Sequence, residues 1–432
     1  MKLSKYVVFI PTEDGYLAYN TLTRSVLFLD QTTKDNLTKT ADSIQSADLL
    51  TPLVEEKFLI PDSIDETQHI RTWLDEIRHT DTLNLTILTT YACNLACVYC
   101  IEEDVIKPII MDSKTQEQVI NWIKTQIIEK QILQVRLCFY GGEPLLNSPA
   151  IETIAQSIRG FCSQKEIGFY AELISNGVLL NPENAIKLVE WGISQVKITI
   201  DGDRIQHNRK RPAKNRADSY QVIINNIKTL PDELDLIISG NYDADNIASF
   251  PAMLDELAAL GLSNRIKHIS FKPILHTSQK ASAVASQCAS ISFAESDLTA
   301  MVRLRNEAKS RGFNVPDYLV LGPCEFNFDY SLVIDPIGNF YKCAGFVGRP
   351  QFIIGDIKTG FNQRYYEFIN VNIPEYCFDC IYMPSCGAGC RYCAQIKFGD
   401  YNQVVCEKPY FESVGQEILK SDYLMVGINE GS

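Results

Sequence analysis

The sequence predicts an α/β protein whose centre is a partial (β/α)6 barrel between a small N-terminal domain and a Cys-rich C-terminal domain. Six short apolar segments, rich in branched residues, alternate with helical patterns in the middle of the chain. The first 92 residues contain no cysteine, whereas eight of the 14 cysteines fall between Cys324 and Cys406. These observations divide the chain into regions 1–80, 81–314 and 315–420, with a tail at 421–432.

The N-terminal region, residues 1–80, predicts a winged-helix-like domain. Short alternating apolar runs are separated by a turn signal at Glu13-Asp14-Gly15, and two helical patterns follow. We expect strands at Lys5–Ile10, Tyr16–Asn20, Ser25–Leu29 and Phe58–Ile60, and helices at Lys34–Ala47, Leu49–Lys57 and Thr67–Ile77.

The central region, residues 81–314, predicts a parallel sheet because strands and helices alternate, and such units connect with right-handed crossovers. Six units are too few for a closed eight-stranded barrel, so the barrel is partial. The expected strands are Leu83–Thr89, Val135–Tyr140, Phe169–Ser175, Gln195–Ile200, Leu234–Ser239 and His268–Pro273. The expected helices are Lys114–Glu129, Ser148–Ser163, Glu183–Trp191, Ala217–Leu230, Ile247–Leu260 and Ser296–Arg311. Beyond about Val315 only short strands are expected, at Ser331–Ile334 and Asn339–Lys342.

Composition and charge exclude several classes of protein. The formal net charge of −13 argues against general nucleic-acid binding, which needs a basic surface. The apolar run Val7–Ile10 ends at Pro11, which is too short for the core of a secretory signal, about 7–15 residues. No stretch approaches the ~20 apolar residues that span a bilayer. We therefore expect a cytoplasmic protein without a membrane partner, whose thiols serve metal or redox chemistry rather than disulfides.

Three cysteines follow the first central strand with short spacing. Cys93, Cys97 and Cys100 are separated by three and two residues, so that on a loop their thiolates can face one point. Iron–sulfur cubanes use Cys thiolates, normally four, and three leave one iron open to a chelating ligand. A zinc site would need a fourth Cys or His nearby, and a chance group of core cysteines is the other alternative.

This pattern, with Tyr99 before the last cysteine, resembles the signature of the radical S-adenosylmethionine (SAM) superfamily. The resemblance implies that the three cysteines hold a four-iron cluster. It also implies that SAM chelates the open iron and is cleaved to methionine and a 5′-deoxyadenosyl radical. A low-potential electron donor of the flavodoxin or ferredoxin type is then an expected partner.

Polar residues at the ends of later strands match the same superfamily. By resemblance, the glycine-rich motif Gly141-Gly142-Glu143-Pro144 places Glu143 near the SAM ammonium. Adjacent glycines also allow backbone to approach a ligand closely, although Gly-Gly alone fits a plain turn. Carboxyl ends of parallel strands are where ligands bind in such folds. The resemblance implies that the remaining SAM contacts come from Ser175, Asn176, Asp201 and Arg211.

The C-terminal cysteines resemble the seven-Cys SPASM extension of radical SAM enzymes, which carries two auxiliary four-iron clusters. The resemblance implies a distal cluster held by Cys377, Cys380, Cys386 and Cys406, and a nearer cluster held by Cys324, Cys343 and Cys390. Seven thiols for eight positions leave the nearer cluster either open to a substrate thiolate or completed by Cys288, Cys393 or Asp317. A tandem zinc ribbon is the alternative, because the Cys377/Cys380 pair is also zinc-like.

Enzymes with this extension mostly modify peptides, and the N-terminal region is similar to precursor-recognition elements of ribosomal-peptide maturases. The resemblance implies a peptide maturase that abstracts hydrogen from a precursor peptide with a leader and forms a thioether or carbon–carbon crosslink. One alternative is a sulfatase-maturing enzyme, but Ala344 stands where that family carries an Asp base. The other alternative is a non-catalytic iron–sulfur scaffold that only binds a peptide. The catalytic base is not identified from the sequence.

Overall fold

The computed structural model describes residues 1–39, 47–276, 281–283, 299–316, 319–320 and 322–429. The chain divides into two compact units. The smaller unit comprises residues 1–78, 317–324 and 372–432, and the larger unit comprises residues 79–316 and 325–371. The Cys-rich region 315–420 is therefore shared between the two units.

The N-terminal part of the smaller unit is a compact assembly of short strands and helices. Its strands are β1 Lys2–Leu3, β2 Val7–Pro11, β3 Tyr16–Asn20, β4 Val26–Leu29 and β5 Leu59–Ile60. Its helices are α1 Gln31–Lys39, α2 Ala47–Glu55 and α3 Glu66–Arg78. A three-stranded antiparallel sheet has the order β2-β3-β4, and β1 pairs with β5. The winged-helix class stays a prediction.

A hydrophobic core holds this assembly together. Val7, Ala18 and Leu29 come from the three strands, and Leu37 and Leu53 come from the two helices that follow them. Each of these side chains is almost fully buried. Period-2 alternation along the strands directs these side chains to one face, because successive residues of a strand point to opposite sides.

The larger unit is built on a mostly parallel sheet. Its strands are β6 Thr82–Thr90, β7 Gln134–Gly141, β8 Gly168–Ser175, β9 Gln195–Thr199, β10 Asp235–Tyr242, β11 Ile266–His276, β12 Ala281–Ala283, β13 Ser331–Ile334, β14 Asn339–Tyr341, β15 Gly355–Asp356 and β16 Gly360–Phe361. The order across the sheet is β12-β11-β10-β9-β8-β7-β6-β13-β14-β15-β16. Strands β6 to β11 pair in parallel and in chain order. This confirms the predicted run of six strands.

The helices of the larger unit connect these strands. They are α4 Ser113–Glu129, α5 Ser148–Gln164, α6 Pro182–Trp191, α7 Arg204–Lys210, α8 Ser219–Ile227, α9 Phe250–Ala259, α10 Thr299–Ser310 and α11 Gln363–Ile369. Helix α4 begins where the Asp112 side chain accepts a hydrogen bond from the Thr115 amide, and α6 begins where Asn181 does the same for Asn184. Such capping satisfies amides that a helix leaves unpaired at its N-terminus.

The six parallel strands curve around a polar interior. One cavity of about 390 Å³ is lined by residues from all six strands, among them Asn84, Arg136, Glu172, Gln195 and His268. Neighbouring strands lie about 4.8 Å apart, so the outer two of six strands in a flat sheet would be separated by roughly 24 Å. Side chains from all six can share one cavity only because the sheet curves.

Several features of the larger unit were not predicted, among them α7, α11, β12, β15, β16 and the pairing of β13 with β6. Helix α7 carries no apolar stripe, and its one large apolar residue, Ile205, is 76% exposed. Its start depends on a cap, since the Asp203 side chain accepts a hydrogen bond from the Gln206 amide at 2.9 Å. Strand β13 pairs in parallel with β6 although about 240 residues separate them, which extends the sheet beyond the six predicted strands.

The C-terminal part of the smaller unit consists of short helices and connecting loops. Its helices are α12 Glu375–Phe378, α13 Met383–Cys386, α14 Arg391–Phe398, α15 Lys408–Tyr410 and α16 Gln416–Asn429. Among the residues that the structure describes, no helix combines the length and the apolar character needed to cross a bilayer.

Candidate active site

The three thiols that follow β6 line one cavity. Cys93, Cys97 and Cys100 all contribute to its wall, at the carboxyl ends of β7 to β10. Backbone hydrogen bonds hold the loop in place, from the Ala96 amide to the Pro212 oxygen at 2.9 Å and from the Val98 amide to the Lys210 oxygen at 3.0 Å. This is the edge of a parallel α/β sheet at which ligands bind.

The two adjacent glycines fit against the backbone of the cysteine loop. A Cβ atom on Gly142 would lie 2.3 Å from the Ala92 carbonyl oxygen, and one on Gly141 would lie 2.4 Å from the Thr90 carbonyl oxygen. Gly141 also has φ of +135°, which side chains of L-residues rarely allow. Both glycines line the cavity, so their lack of side chains lets β7 approach the loop and keeps the cavity open.

Glu143 is fully buried and organises the end of β8. Its carboxylate accepts hydrogen bonds from the Ser175 hydroxyl at 2.9 Å, the Asn176 amide at 2.8 Å and the Leu145 amide at 3.1 Å. The Asn176 side chain then donates to Asn94 at 2.7 Å. Glu143 thus ties the ends of β7 and β8 together behind the cavity wall, while Ser175 and Asn176 line the cavity.

Asp201 lies at the centre of a second buried network. Its carboxylate accepts a hydrogen bond from the Tyr99 hydroxyl and another from the Asn241 amide at 2.7 Å. The Arg211 guanidinium donates to Tyr99 at 2.8 Å and lies 3.7 Å from Asp201. Tyr99, Arg211 and Asn241 line the cavity. Asp201 itself is 0% exposed and does not line the cavity. Its role is therefore to hold these three residues in position.

Burial dominates the electrostatics of this site. It raises the pKa of Cys93 to about 11 and also raises the pKa values of Cys97 and Cys100. Burial alone would lower the pKa of Arg211, but Cys97, Tyr99 and Asp201 together raise it well above its ordinary value. Arg211 therefore remains a buried cation beside the thiols, and it lowers the pKa of Cys97 against the effect of burial.

Glu102 and Asn241 are among the polar residues of the cavity wall that were not predicted from the sequence; the others are Tyr140, Thr199 and Ser239. Asn241 is near the end of β10, and the reasoning about polar residues at strand ends would have found it had the strand been extended to Tyr242. Glu102 follows Cys100 by two residues and is 5% exposed. Burial raises its pKa to about 8.

The cavity has polar atoms that its own residues leave unsatisfied. Within the described residues, Glu102 Oε1 and Arg211 Nε are buried without a hydrogen-bond partner. Buried polar groups normally have partners, so these two atoms fit a polar ligand in the cavity. No three His, Cys, Asp or Glu side chains of the described residues are arranged to hold a single metal ion. The three thiols surround a shared space instead, which suits a cluster of several metal atoms.

Four further cysteines of the smaller unit lie close to one arginine, and two more lie close to one of these four. The guanidinium of Arg391 is close enough to interact with Cys324, Cys377, Cys386 and Cys390. Cys377 in turn interacts with Cys380 and Cys406. The segment between Cys386 and Cys390 has three consecutive residues with φ from 60° to 77°, which turns the chain tightly enough to bring both thiols to the same place.

Arg391 is nearly fully buried, yet its hydrogen-bonding groups are mostly unused. The side chain is 1% exposed, and in the described part of the chain Nε and Nη2 have no partner. Burial lowers the pKa of Arg391, while the surrounding thiols raise it. A buried cation with free donors beside four cysteines fits an anionic iron–sulfur group, whose sulfur atoms accept such hydrogen bonds.

The remaining cysteines are placed as follows. Cys343 lies in the larger unit, where its sulfur accepts a hydrogen bond from the Gly345 amide at 3.4 Å. Cys393 is 0% exposed within α14, and Cys138 and Cys162 are buried in β7 and α5. Cys288 and Asp317 lie outside the described residues. The ligand set of the nearer auxiliary cluster stays a prediction.

Residues 87–257 match a family model described as the radical SAM superfamily. This region of the chain is thus similar to the radical SAM superfamily, as the cysteine motif predicts. A radical SAM region implies a four-iron cluster and SAM, and the cavity with its three thiols and two unsatisfied polar atoms fits both.

Three curated relatives are similar to parts of the chain. Mycofactocin maturase MftC of Mycobacterium ulcerans is 24% identical over 71% of this chain and 82% of its own length. PqqA peptide cyclase of Methylocella silvestris is 32% identical over 26% of this chain and 27% of its own length. The uncharacterised protein MJ0907 of Methanocaldococcus jannaschii is 34% identical over 31% of this chain. The chain thus spans less than half the length of the last two, 27% and 43%.

Two solved structures share the fold. The enzyme anSMEcpe, with bound AdoMet and the peptide Cp18Cys, has a TM-score of 0.59 at 17% identity and covers 81% of this chain and 99% of its own. Streptococcus suis SuiB, bound to its precursor peptide SuiA, has a TM-score of 0.51 at 15% identity and covers 94% of this chain and 99% of its own.

Proposed function

We propose that this protein is a radical SAM/SPASM maturase that abstracts a hydrogen atom from a precursor peptide and introduces a thioether or carbon–carbon crosslink. The observation that carries the proposal is the cavity in which Cys93, Cys97 and Cys100 face Arg211 and Tyr99. The names of the relatives add support, since MftC is a maturase and the PqqA enzyme is a peptide cyclase.

The residues of the cavity have different roles in the proposed reaction. When bound, the cluster and SAM supply one electron and a 5′-deoxyadenosyl radical. Cys93, Cys97 and Cys100 would hold the cluster, with Asn176 donating to the Cys93 sulfur at 3.9 Å. Arg211, fixed by Asp201, would pair with the carboxylate of SAM, and Glu102 would form a hydrogen bond with one of the polar groups of SAM. Glu143 keeps Ser175 and Asn176 in position at the end of β8.

Two auxiliary clusters belong to the proposal. The four thiols near Arg391 and the two further thiols near Cys377 support them, because six thiols are more than one four-iron cluster needs. The distal cluster uses Cys377, Cys380, Cys386 and Cys406, and the nearer cluster uses Cys324, Cys343 and Cys390. An open iron on the nearer cluster would bind a substrate thiolate and favour thioether formation.

Replacement of Arg391 tests the auxiliary clusters. Arg391→Met removes a buried cation while keeping a long side chain, so the reduced clusters lose electrostatic stabilisation and their reduction potential falls. The measurement is a redox titration followed by electron paramagnetic resonance. Arg391→Lys keeps the positive charge and is the matched control, with a smaller shift. An unchanged potential in Arg391→Met would show that no cluster lies beside this residue.

Within the described part of the chain, β4 pairs with β3 on one side only, and its other edge is a candidate site for a leader peptide. The Asn20 amide donates a hydrogen bond to the Ser25 oxygen, so these two residues form a hydrogen-bonded pair between β3 and β4. Hydrogen-bonded and non-hydrogen-bonded pairs alternate along antiparallel strands. The N–H and C=O groups of Val26 and Phe28 therefore point away from β3. The opposite edge, β2, carries Pro11, which has no N–H group and so disfavours the addition of another strand there. An extended peptide can add to such an open edge, and we infer that the leader pairs with β4.

Val26→Pro should weaken leader binding by about ten-fold or more, because it removes one outward N–H and leaves the β3 ladder intact. The measurement is fluorescence anisotropy with a labelled leader peptide. Val26→Ala keeps the N–H and should bind within about two-fold of the unchanged chain. Equal loss in both variants would point to the side chain, and no loss in either would place the leader elsewhere.

The proposed reaction has a direct test. Reduced, reconstituted protein is incubated with SAM and the short peptide encoded beside its gene, and products are followed by mass spectrometry. Each crosslink should remove two hydrogen atoms from the peptide and yield 5′-deoxyadenosine. Release of 5′-deoxyadenosine with an unchanged peptide mass would contradict the crosslinking proposal but keep the SAM chemistry.

Formylglycine formation is the second candidate function, because both cysteine motifs also resemble those of sulfatase-maturing enzymes. It also removes two hydrogen atoms from a serine, so mass alone does not separate the two reactions. A formylglycine aldehyde reacts with a hydrazide probe, whereas a crosslink does not. Ala344, whose methyl group cannot accept a proton, favours the crosslink.

A further inference from the structure

A lysine of the curved sheet lies between the two cavities of the larger unit. Lys197 is the middle residue of β9, and alternation along the strand directs Gln195, Lys197 and Thr199 to the same face. Gln195 lines the polar cavity near the amino ends of the strands, and Thr199 lines the cavity of the three thiols. Lys197 is therefore one step of about 6.6 Å along the strand from the wall of the thiol cavity.

The neighbouring strands show the same arrangement. On β7, Cys138 lines the polar cavity, and Tyr140, two residues later, lines the thiol cavity. On β8, Glu172 lines the polar cavity and Ile174 lines the thiol cavity. The two cavities therefore follow one another along the interior of the same sheet, and Lys197 lies at the level between them.

The titratable groups that face Lys197 come from three strands. Glu172 on β8, Cys138 on β7 and His268 on β11 are all close enough to interact with the lysine. Burial lowers the pKa of Lys197, and Glu172 and Cys138 oppose this effect. His268 is itself held neutral, because burial and the nearby lysines lower its pKa. A buried lysine of this kind loses its proton more readily than an exposed one and can then act as a base.

We propose that Lys197 is the catalytic base of the crosslinking reaction and accepts a proton from the peptide at the inner end of the thiol cavity. The inference rests on the proposed function, because it names a residue which that reaction requires and which the sequence does not identify. A general base must come within hydrogen-bond distance of the proton that it removes. The lysine amine is carried on a flexible four-carbon stem, which allows it to meet a group held at this level of the barrel.

Each crosslink replaces two bonds to hydrogen in the peptide by one new bond. A peptide carbon loses a hydrogen atom to the 5′-deoxyadenosyl radical, which becomes 5′-deoxyadenosine. The second reacting group, a thiol S–H or a C–H, loses its proton to the Lys197 amine, which becomes an ammonium. The new bond forms between the two groups, and the one remaining electron passes to an oxidised auxiliary cluster, which the proposed function includes.

Lys197→Arg separates a base from a structural cation. Arginine keeps the positive charge beside Glu172 but does not give up its proton in proteins, so it cannot act as the base. The full-length chain with reconstituted clusters is incubated with dithionite, SAM and the peptide encoded beside its gene. Formation of the crosslink should fall by about 100-fold or more, the scale of general-base catalysis. Formation of 5′-deoxyadenosine should stay within about three-fold, because the cleavage of SAM does not need the base. The neutral variant Lys197→Met should show the same split.

Lys267→Arg is the matched control. Lys267 lies on β11 and lines the polar cavity, but its amine is half exposed and pairs with Asp235 at 2.6 Å. The same substitution at this position should keep both the crosslink and 5′-deoxyadenosine within about two-fold of the unchanged chain.

A titration followed by nuclear magnetic resonance tests the amine without any reaction. In the reconstituted protein with oxidised clusters and ¹³C-labelled lysine, one signal should be missing from Lys197→Arg. That signal should titrate below the ordinary lysine pKa of about 10.4. Only the neutral amine accepts a proton, so the amount of crosslink per 5′-deoxyadenosine should rise with pH through the same midpoint.

Three outcomes overturn the proposal. Full crosslinking by Lys197→Arg would make the lysine a structural partner of Glu172. Equal loss of the crosslink and of 5′-deoxyadenosine in both Lys197 variants would show a role in the fold. A Lys197 signal that titrates at the ordinary lysine pKa would exclude a neutral amine near pH 7. If the unchanged chain cleaves SAM but forms no crosslink, the proposed function itself is wrong, and this failure differs from a loss confined to the variants.

Discussion

Replacing Cys97 with alanine is expected to abolish the reductive cleavage of SAM, with a loss of about 10⁴-fold or more. Groups that act as one unit lose nearly the whole rate when one of them is removed. With only Cys93 and Cys100 left in the cavity, the cluster has too few thiolates to stay bound. The iron content should fall by about four atoms from the ~12 expected for three clusters. The measurements are iron analysis and chromatography of 5′-deoxyadenosine after reconstitution.

Cys162→Ala is the matched control for this variant. Cys162 is also buried, but it lies in α5 among apolar residues and far along the chain from the cysteine loop. Its loss removes a small hydrophobic side chain and should leave the iron content unchanged. A Cys97→Ala variant that kept full iron content and activity would overturn the assignment of this loop as the cluster site.

Replacing Asp201 with asparagine should give the largest loss of stability among the polar residues of the site. The Asp201 carboxylate accepts a hydrogen bond from the Tyr99 hydroxyl and lies beside the Arg211 guanidinium. An asparagine amide group at this position would point its own N–H donors at these two donor groups. Arg211 would remain buried without its counter-charge. Removing one partner from a buried ion pair typically costs about 3–5 kcal/mol in the free energy of unfolding. The measurement is the midpoint of urea unfolding of the protein without cofactors.

The same variant should bind SAM more weakly, because Arg211 would lose the partner that fixes its position in the cavity wall. Asp218→Asn is the control, since Asp218 forms an exposed ion pair with Arg204 and asparagine caps α8 equally well. Exposed pairs contribute at most about 1 kcal/mol, so this control should unfold close to the unchanged chain. Equal unfolding midpoints for Asp201→Asn and Asp218→Asn would show that the buried network does not stabilise the fold.

Much of the fold could be predicted from the sequence because each of the six parallel strands is a short, branched, apolar run. The run Val135–Tyr140 predicts a strand, and β7 covers Gln134–Gly141. Helix α7 could not be predicted, since it is polar and depends on the Asp203 cap rather than on an apolar face. The pairing of β13 with β6 could not be predicted either, because local patterns carry no information on contacts across about 240 residues.

The candidate site shows the same division. The spacing of Cys93, Cys97 and Cys100 predicts a shared site, and all three line one cavity. Asp201 and Glu143 were placed at the ligand by resemblance, and the structure buries both behind the cavity wall, where protein donors surround their carboxylates. Their direct contact with SAM stays a prediction.

The sequence by itself determined the class of this protein, because cysteine spacing and strand periodicity are local properties that neighbouring residues specify. The tertiary structure alone decided which residues support that chemistry. Nothing in the sequence singles out Arg391, yet folding buries it beside four thiols, one of which, Cys324, lies more than 60 residues earlier in the chain. Such groupings depend on long-range packing and on the removal of water, which no local pattern encodes.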